Sequence, residues 1–190
     1  MDPLTVSARR LIATALCLGA LVSGGPGFAA PSLEYGIKAA YLYKFAAFVE
    51  WPDKTLATAD SPINVCVAGA DPFGSTLEQV AAGQRVGGHP IAIRRLSAIA
   101  SGSSCQIAFL AGSGEQSVAQ ALAATRGEAI LTVTDAAADP HDHGIVSFVI
   151  VNDRVRFEID NGAAEQNHVV ISSKLLSLAI TVKPGSQSVP

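Results

Sequence analysis

The densest group of side chains able to do chemistry is His141-Asp142-His143, two imidazoles and a carboxylate in three positions, with Asp135 and Asp139 just upstream. Such a set is of the kind that binds zinc or copper. Ligands at i and i+2 on a loop impose no fixed geometry, however, and no fourth ligand follows at a convincing spacing. A solvated polar loop is the expectation there, and no metal is assigned. Glu165 and His168 are spaced to touch across one helical turn, which predicts a local ion pair. Four histidines (His89, His141, His143, His168) and many serines make a Ser-His-Asp set arithmetically available. Triads are defined by geometry, so none is assigned. The sequence contains no GxGxxG, P-loop, GxSxG or HExxH pattern. The glycine-rich run 83–88 lacks the spacing that cradles a phosphate. Asp71-Pro72-Phe73-Gly74 follows a β-rich run, where α/β proteins place ligand sites. An anion there would meet the Asp71 carboxylate, so Asp71 is read as a helix N-cap with Pro72 at the first helical position. No catalytic residue and no cofactor is expected.

Composition narrows the field further. The 190 residues suit one domain; 49% are hydrophobic and 15% charged, which excludes disorder and allows a sizeable core. A net charge of −3 and a pI near 5.7 offer no footprint for nucleic acid. Residues 1–29 read as a signal peptide: Arg9-Arg10 in the n-region, an uncharged run over 11–22, and small residues up to a cut after Ala29. As a helix, that run spans about 18 Å, short of a hydrocarbon core of about 30 Å. Cys17 follows Leu16, which is the wrong setting for a lipid anchor. Once the leader is removed, Cys66 and Cys105 are the remaining cysteines, and no later apolar run approaches a membrane span. In an oxidising compartment two cysteines in a small domain tend to pair. The alternative is two buried thiols packed as small hydrophobes.

The elements that would carry these residues alternate between the two periodicities. Residues 35–51 read as a helix, with Ile37, Tyr41, Phe45 and Phe48 as the apolar stripe, Lys38 and Lys44 on a polar side, and Trp51-Pro52 as the stop. The stripe suits core packing or a protein-binding face. Strands are expected at 63–69, 90–96, 105–111 and 129–135. Residues 145–151 and 155–160 should form a hairpin around Asn152-Asp153-Arg154. Helices are expected at 73–82, 115–126, 163–167 and 172–182. In the strand 155–160, Val155, Phe157 and Ile159 share one face, leaving Arg156, Glu158 and Asp160 for solvent or a partner. The alternation predicts an α/β single-domain sandwich with a mixed, largely parallel central sheet flanked by helices.

Several segments together resemble the YfiR-like family (the DUF4154 domain). They are Lys38-Ala39-Ala40-Tyr41-Leu42-Tyr43-Lys44-Phe45 through Glu50-Trp51-Pro52, Val65-Cys66-Val67 with Asp71-Pro72-Phe73-Gly74, and the strand at 105–110. The blocks 131–135, 155–160 and Ile171-Ser172-Ser173-Lys174-Leu175-Leu176 follow in the same order. The resemblance covers roughly residues 34–180. With the leader read above, the chain divides into a signal peptide at 1–29, a YfiR-like domain at 30–184 and a flexible tail at 185–190. That nucleic acid, metal and membrane insertion play no part is expected from the residues themselves. The resemblance implies a non-enzymatic periplasmic protein. Such a protein binds the periplasmic sensor domain of an inner-membrane diguanylate cyclase and represses it, controlling cyclic-di-GMP and biofilm formation. The resemblance further implies a homodimer, and Cys66 and Cys105 match one family cysteine pair. A second pair, found in some members after 131–135, has no counterpart, because residues 136–151 contain no cysteine. Partner contacts are expected at Glu158, Ile159, Ala163 and Ile171, with exposed groups of the first helix such as Tyr43. Two other readings stay open. One is a periplasmic small-ligand-binding protein with its ligand near residues 71–74; the other is a metal-dependent hydrolase using His141 and His143.

Overall fold

A computed structural model describes residues 33–52, 54–58, 60–135 and 142–185. Helix α1 (Leu33–Phe45) opens the chain, with Glu34 in its first turn and Lys44 in its last, the charge order that suits the helix dipole. It is shorter than its apolar spacing predicts. A single 3-10 turn spans Ala46–Phe48, and Val49–Glu50 leaves as strand β1, with Val49 at φ −124° and ψ 135°. A β-branched residue close to a proline accepts extended geometry readily, and the pairing partner lies far downstream in the sequence.

Strand β2 (Ile63–Gly69) leads to α2 (Thr76–Ala81), the short β3 (Arg85–Val86) and β4 (His89–Leu96). Then come β5 (Ile107–Gly112), α3 (Val118–Ala124), β6 (Leu131–Asp135), β7 (Val146–Val151) and β8 (Arg154–Asp160). The chain closes with α4 (Asn161–Gln166), β9 (Val170–Ile171), α5 (Ser173–Leu176) and β10 (Thr181–Lys183). Eight strands form one sheet in the order β10-β8-β7-β6-β5-β2-β4-β3, while β1 pairs antiparallel with β9. From β4 through β2, β5 and β6 to β7 every pairing is parallel; β7–β8 and β3–β4 are antiparallel and β10 runs parallel to β8. The chain is therefore a single α/β domain with a mixed, largely parallel sheet, the architecture its pattern predicts.

Two local expectations change. The hairpin turn has two residues, since Arg154 pairs with Val151; Asn152 and Asp153 take φ values of 48° and 58°, the left-handed pair of a type I′ turn. The helix expected over 172–182 is one turn, Ser173–Leu176, capped by the Ser172 hydroxyl accepting from the Leu175 N–H. Beyond it Ile180 donates its N–H to the Phe157 carbonyl and residues 181–183 add a strand outside β8. A β-branched run beside an open strand edge gains ladder hydrogen bonds that a short frayed helix cannot match.

The strands separate two cores by the twofold alternation of their side chains. On one face Val65, Val67, Ile107, Phe109, Leu131, Val133, Phe148 and Phe157 pack with Ala39, Leu42 and Phe45 of α1. Phe45 stands edge-on to Phe157 at 5.4 Å, and Phe73 edge-on to Phe109 at 4.8 Å. On the other face Cys66, Ala68, Ala108 and Leu110 pack with Ala121 of α3, Ile99, Cys105 and Ile130. Cys66 and Cys105 are joined there by a disulfide, with Cα atoms 5.9 Å apart. α1 turns a different face inward from the expected one. Lys38, Ala39, Leu42 and Phe45 are buried, Tyr41 and Phe48 lie partly buried against the core, and Ile37 is exposed.

Candidate functional site

The carboxyl ends of β2, β5 and β6 meet the first turn of α1, and most of the polar chemistry gathers there. Lys38, expected on the solvent side, is 3% exposed. Its Nζ donates to Glu34 Oε1 at 2.5 Å and to Asp135 Oδ1 at 2.6 Å, and lies 4.6 Å from the Tyr35 ring centroid. The other Asp135 oxygen accepts from the Tyr35 hydroxyl at 2.8 Å. A helix turn that places Glu34 four residues before Lys38 supplies one carboxylate. Only the fold brings the second, 97 residues later in the chain. Burial, then the hydrogen bond to Asp135 and the charges of Asp135 and Glu34, push the Tyr35 hydroxyl up to about 12. It stays a neutral donor across the physiological range.

A second charged group sits on the loop after β2. Asp71 is not the cap of α2, which starts at Thr76. Instead its Oδ1 accepts from the Phe73 N–H at 2.8 Å and its Oδ2 from Arg95 Nε at 2.7 Å. Arg95 also donates to both Glu78 oxygens and to the Gly74 carbonyl. The hydrogen bond from Arg95 holds the Glu78 carboxyl below its usual range. Gly69 and Gly112 pair at the ends of β2 and β5. At φ +90° a Cβ on Gly69 would stand 2.5 Å from the Gly112 carbonyl oxygen, so a side chain there would force the strands apart. Where these strands end opens a cleft of about 360 Å³, lined among others by Tyr35, Asp71, Pro72, Ala111, Val118 and Asp135.

The other candidate residues are scattered. His141 and Asp139 lie outside the described residues. His143 precedes β7 and lines a small space with Ser147, Glu158 and Lys183. Among the described residues no three His, Cys, Asp or Glu side chains are grouped to hold a metal. His168 meets Glu165 through the backbone, donating its N–H to the Glu165 carbonyl at 3.0 Å from a left-handed φ of 55°; no described contact joins the two side chains. The run 83–88 is the β3–β4 hairpin.

Of the expected partner-binding residues, Ile159 is 1% exposed and Ile171 6%, so both side chains pack in the core. Glu158 and Ala163 are half-buried, and so is Tyr43 on α1, with Lys44 Nζ 5.9 Å from its ring. Ile159 lies on the core face it shares with Val155 and Phe157. The sheet edge moves as well: with residues 172–182 read as a helix β8 would be the edge, but β10 pairs alongside it, Val182 opposite Ile159. Exposed apolar groups that pattern reading missed include Leu178, Ile180 and Val182, just before and within β10. Their alternation with Ala179, Thr181 and Lys183 was the available signal.

Among the described residues no helix is long and apolar enough to cross a membrane. A family model described as YfiR/HmsC-like (DUF4154) matches residues 35–180. No curated protein matches the chain. The match spans most of the sequence: the chain belongs to the YfiR/HmsC-like family, whose members are periplasmic regulators of cyclic-di-GMP signalling.

Proposed function

We propose that this YfiR/HmsC-like protein represses an inner-membrane diguanylate cyclase by binding the cyclase's periplasmic sensor domain. Loss of that contact then raises cyclic-di-GMP and favours biofilm formation. The family match over residues 35–180 carries the reading. Repression by contact needs no nucleophile, only a rigid scaffold and a complementary face, and a cross-linked two-core sheet suits that task. In this reading residues 1–29 are removed on export, leaving a domain over 30–184 with a tail at 185–190, and the protein works as a homodimer without cofactor or metal.

The face we assign to the cyclase is the β10 edge. β10 is terminal in the sheet order, and an edge strand presents unpaired N–H and C=O groups to which another chain adds main-chain hydrogen bonds. Ile180, 47% exposed, and Val182 beside it supply apolar anchors, and half-buried Glu158 lies one strand in.

The test is capture of a cyclase from solubilised envelope with the exported protein as bait, alongside a deletion strain. Retention of the cyclase and raised cyclic-di-GMP on deletion are expected; unchanged cyclic-di-GMP rejects repression. Ile180→Asp should abolish capture at unaltered thermal stability, and undiminished capture by that variant rejects the β10 edge. N-terminal sequencing of periplasmic material should begin at Ala30.

A further inference from the structure

We infer that the cleft at the carboxyl ends of β2, β5 and β6 binds a small organic cation, an amine carried on an apolar body. From β2 the chain winds outward to β3 and β4, then returns to β5 on the other side of β2. Strand order therefore reverses between β2 and β5, and the loops that follow these two strands diverge above the sheet. Open α/β sheets hold ligands in the crevice at such a reversal. The space of about 360 Å³ lies within the range of small-molecule sites, which are largely apolar with a few converging polar groups.

Charge selects the ligand class. Lys38 is matched by two carboxylates, Glu34 and Asp135, and Arg95 by two more, Asp71 and Glu78. Each cluster thus carries one negative charge in excess, and one carboxylate of each, Asp135 and Asp71, lines the cleft. Every oxygen of these two groups already accepts one hydrogen bond from the protein. A carboxylate oxygen has a second lone pair, so both can accept from an ammonium without releasing Lys38 or Arg95. An anion would meet the excess negative charge, and a neutral apolar molecule would leave it unanswered. The partly exposed apolar residues Pro72, Ala111 and Val118 take the body of the amine.

Isothermal titration of the purified protein with phenethylamine, N-acetylphenethylamine and phenylacetate tests this. Saturable one-to-one binding of phenethylamine is expected, with the amide and the acid at least tenfold weaker. Ala111→Phe, which fills the half-buried wall, should abolish binding at unchanged melting temperature, and Asp71→Asn should weaken it at least tenfold. Should Asp71→Asn fail to fold, Ala111→Phe still decides the matter. No saturable binding of phenethylamine, hexylamine or putrescine overturns the inference, as does equal binding of the three phenyl probes or undiminished binding by Ala111→Phe. The titration uses the protein alone, so its failure leaves the cyclase reading standing, and an unaltered cyclic-di-GMP level leaves this site standing.

Discussion

Replacing both disulfide cysteines with alanine should lower stability by about 4 kcal/mol, and the structure says where that energy resides. Cys66 and Cys105 close a loop of 39 residues. The chain-entropy relation for such a loop gives about 13 cal/mol/K, or about 4 kcal/mol at 25 °C. The folded state should change little when the bond is gone. Beside it, Gln106 donates its N–H to the Asn64 carbonyl at 3.0 Å, the Asn64 N–H donates to Gln106 Oε1 at 2.8 Å, and Asn64 Nδ2 donates to the Ser104 carbonyl at 2.8 Å. These bonds pin the start of β5 to β2 independently of sulfur, so the loss falls on the freedom regained by the unfolded chain. For a domain of about 150 residues, 1 kcal/mol moves the melting temperature by about 2–4 °C, so a fall of roughly 10 °C is expected. The assay is thermal unfolding of wild type and of the Cys66→Ala/Cys105→Ala variant, each with and without reductant. Reductant should lower the wild type to the level of the variant and leave the variant where it is. A fall below 3 °C, or alkylation of the unreduced wild type at both cysteines, refutes the argument.

Lys38→Met keeps the aliphatic stem but strips Glu34 and Asp135 of their cation. Both carboxylates still reach water, so a loss of about 1–2 kcal/mol in urea unfolding is expected rather than the 3–5 of a fully buried pair, and a change under 0.5 would contradict the role assigned to this ion cluster. The chain has three tyrosines, and absorbance at 295 nm should resolve one that ionises near 12 and vanishes in Tyr35→Phe. Because that hydroxyl is raised above its unfolded value of 10, the folded state keeps the proton longer; its contribution is complete below pH 10 and is lost as pH rises through about 12. Gly69→Ala should cost at least 2–3 kcal/mol or prevent soluble expression, since its Cβ meets the backbone of Gly112 and its φ is left-handed; stability within 0.5 kcal/mol of wild type would rule out the close approach.

Much of the fold was legible from local pattern. The buried parallel strands at 63–69 and 107–112 read as continuous apolar runs because helices cover both their faces. The hairpin was announced by Asn152-Asp153, and the disulfide by the pair Cys66 and Cys105. Readings failed where a residue's partner lies far along the chain. Lys38 looked like a solvent-facing charge because Asp135 is invisible to helical spacing, and Asp71 looked like a helix cap because Arg95 is a strand away. Residues 178–182 looked helical until the open edge of β8 supplied hydrogen bonds that propensity does not count.

By itself, then, the order of residues determined the periodicities, the family signature and the absence of the common catalytic motifs, all of which are written in near-neighbour spacing. The inward face of α1, the cleft between the two reversed halves of the sheet with its two carboxylate-rich clusters, and the placement of β10 outside β8 were decided only by tertiary structure. Each depends on groups that sequence separates and that burial, pairing and charge bring within a few ångströms.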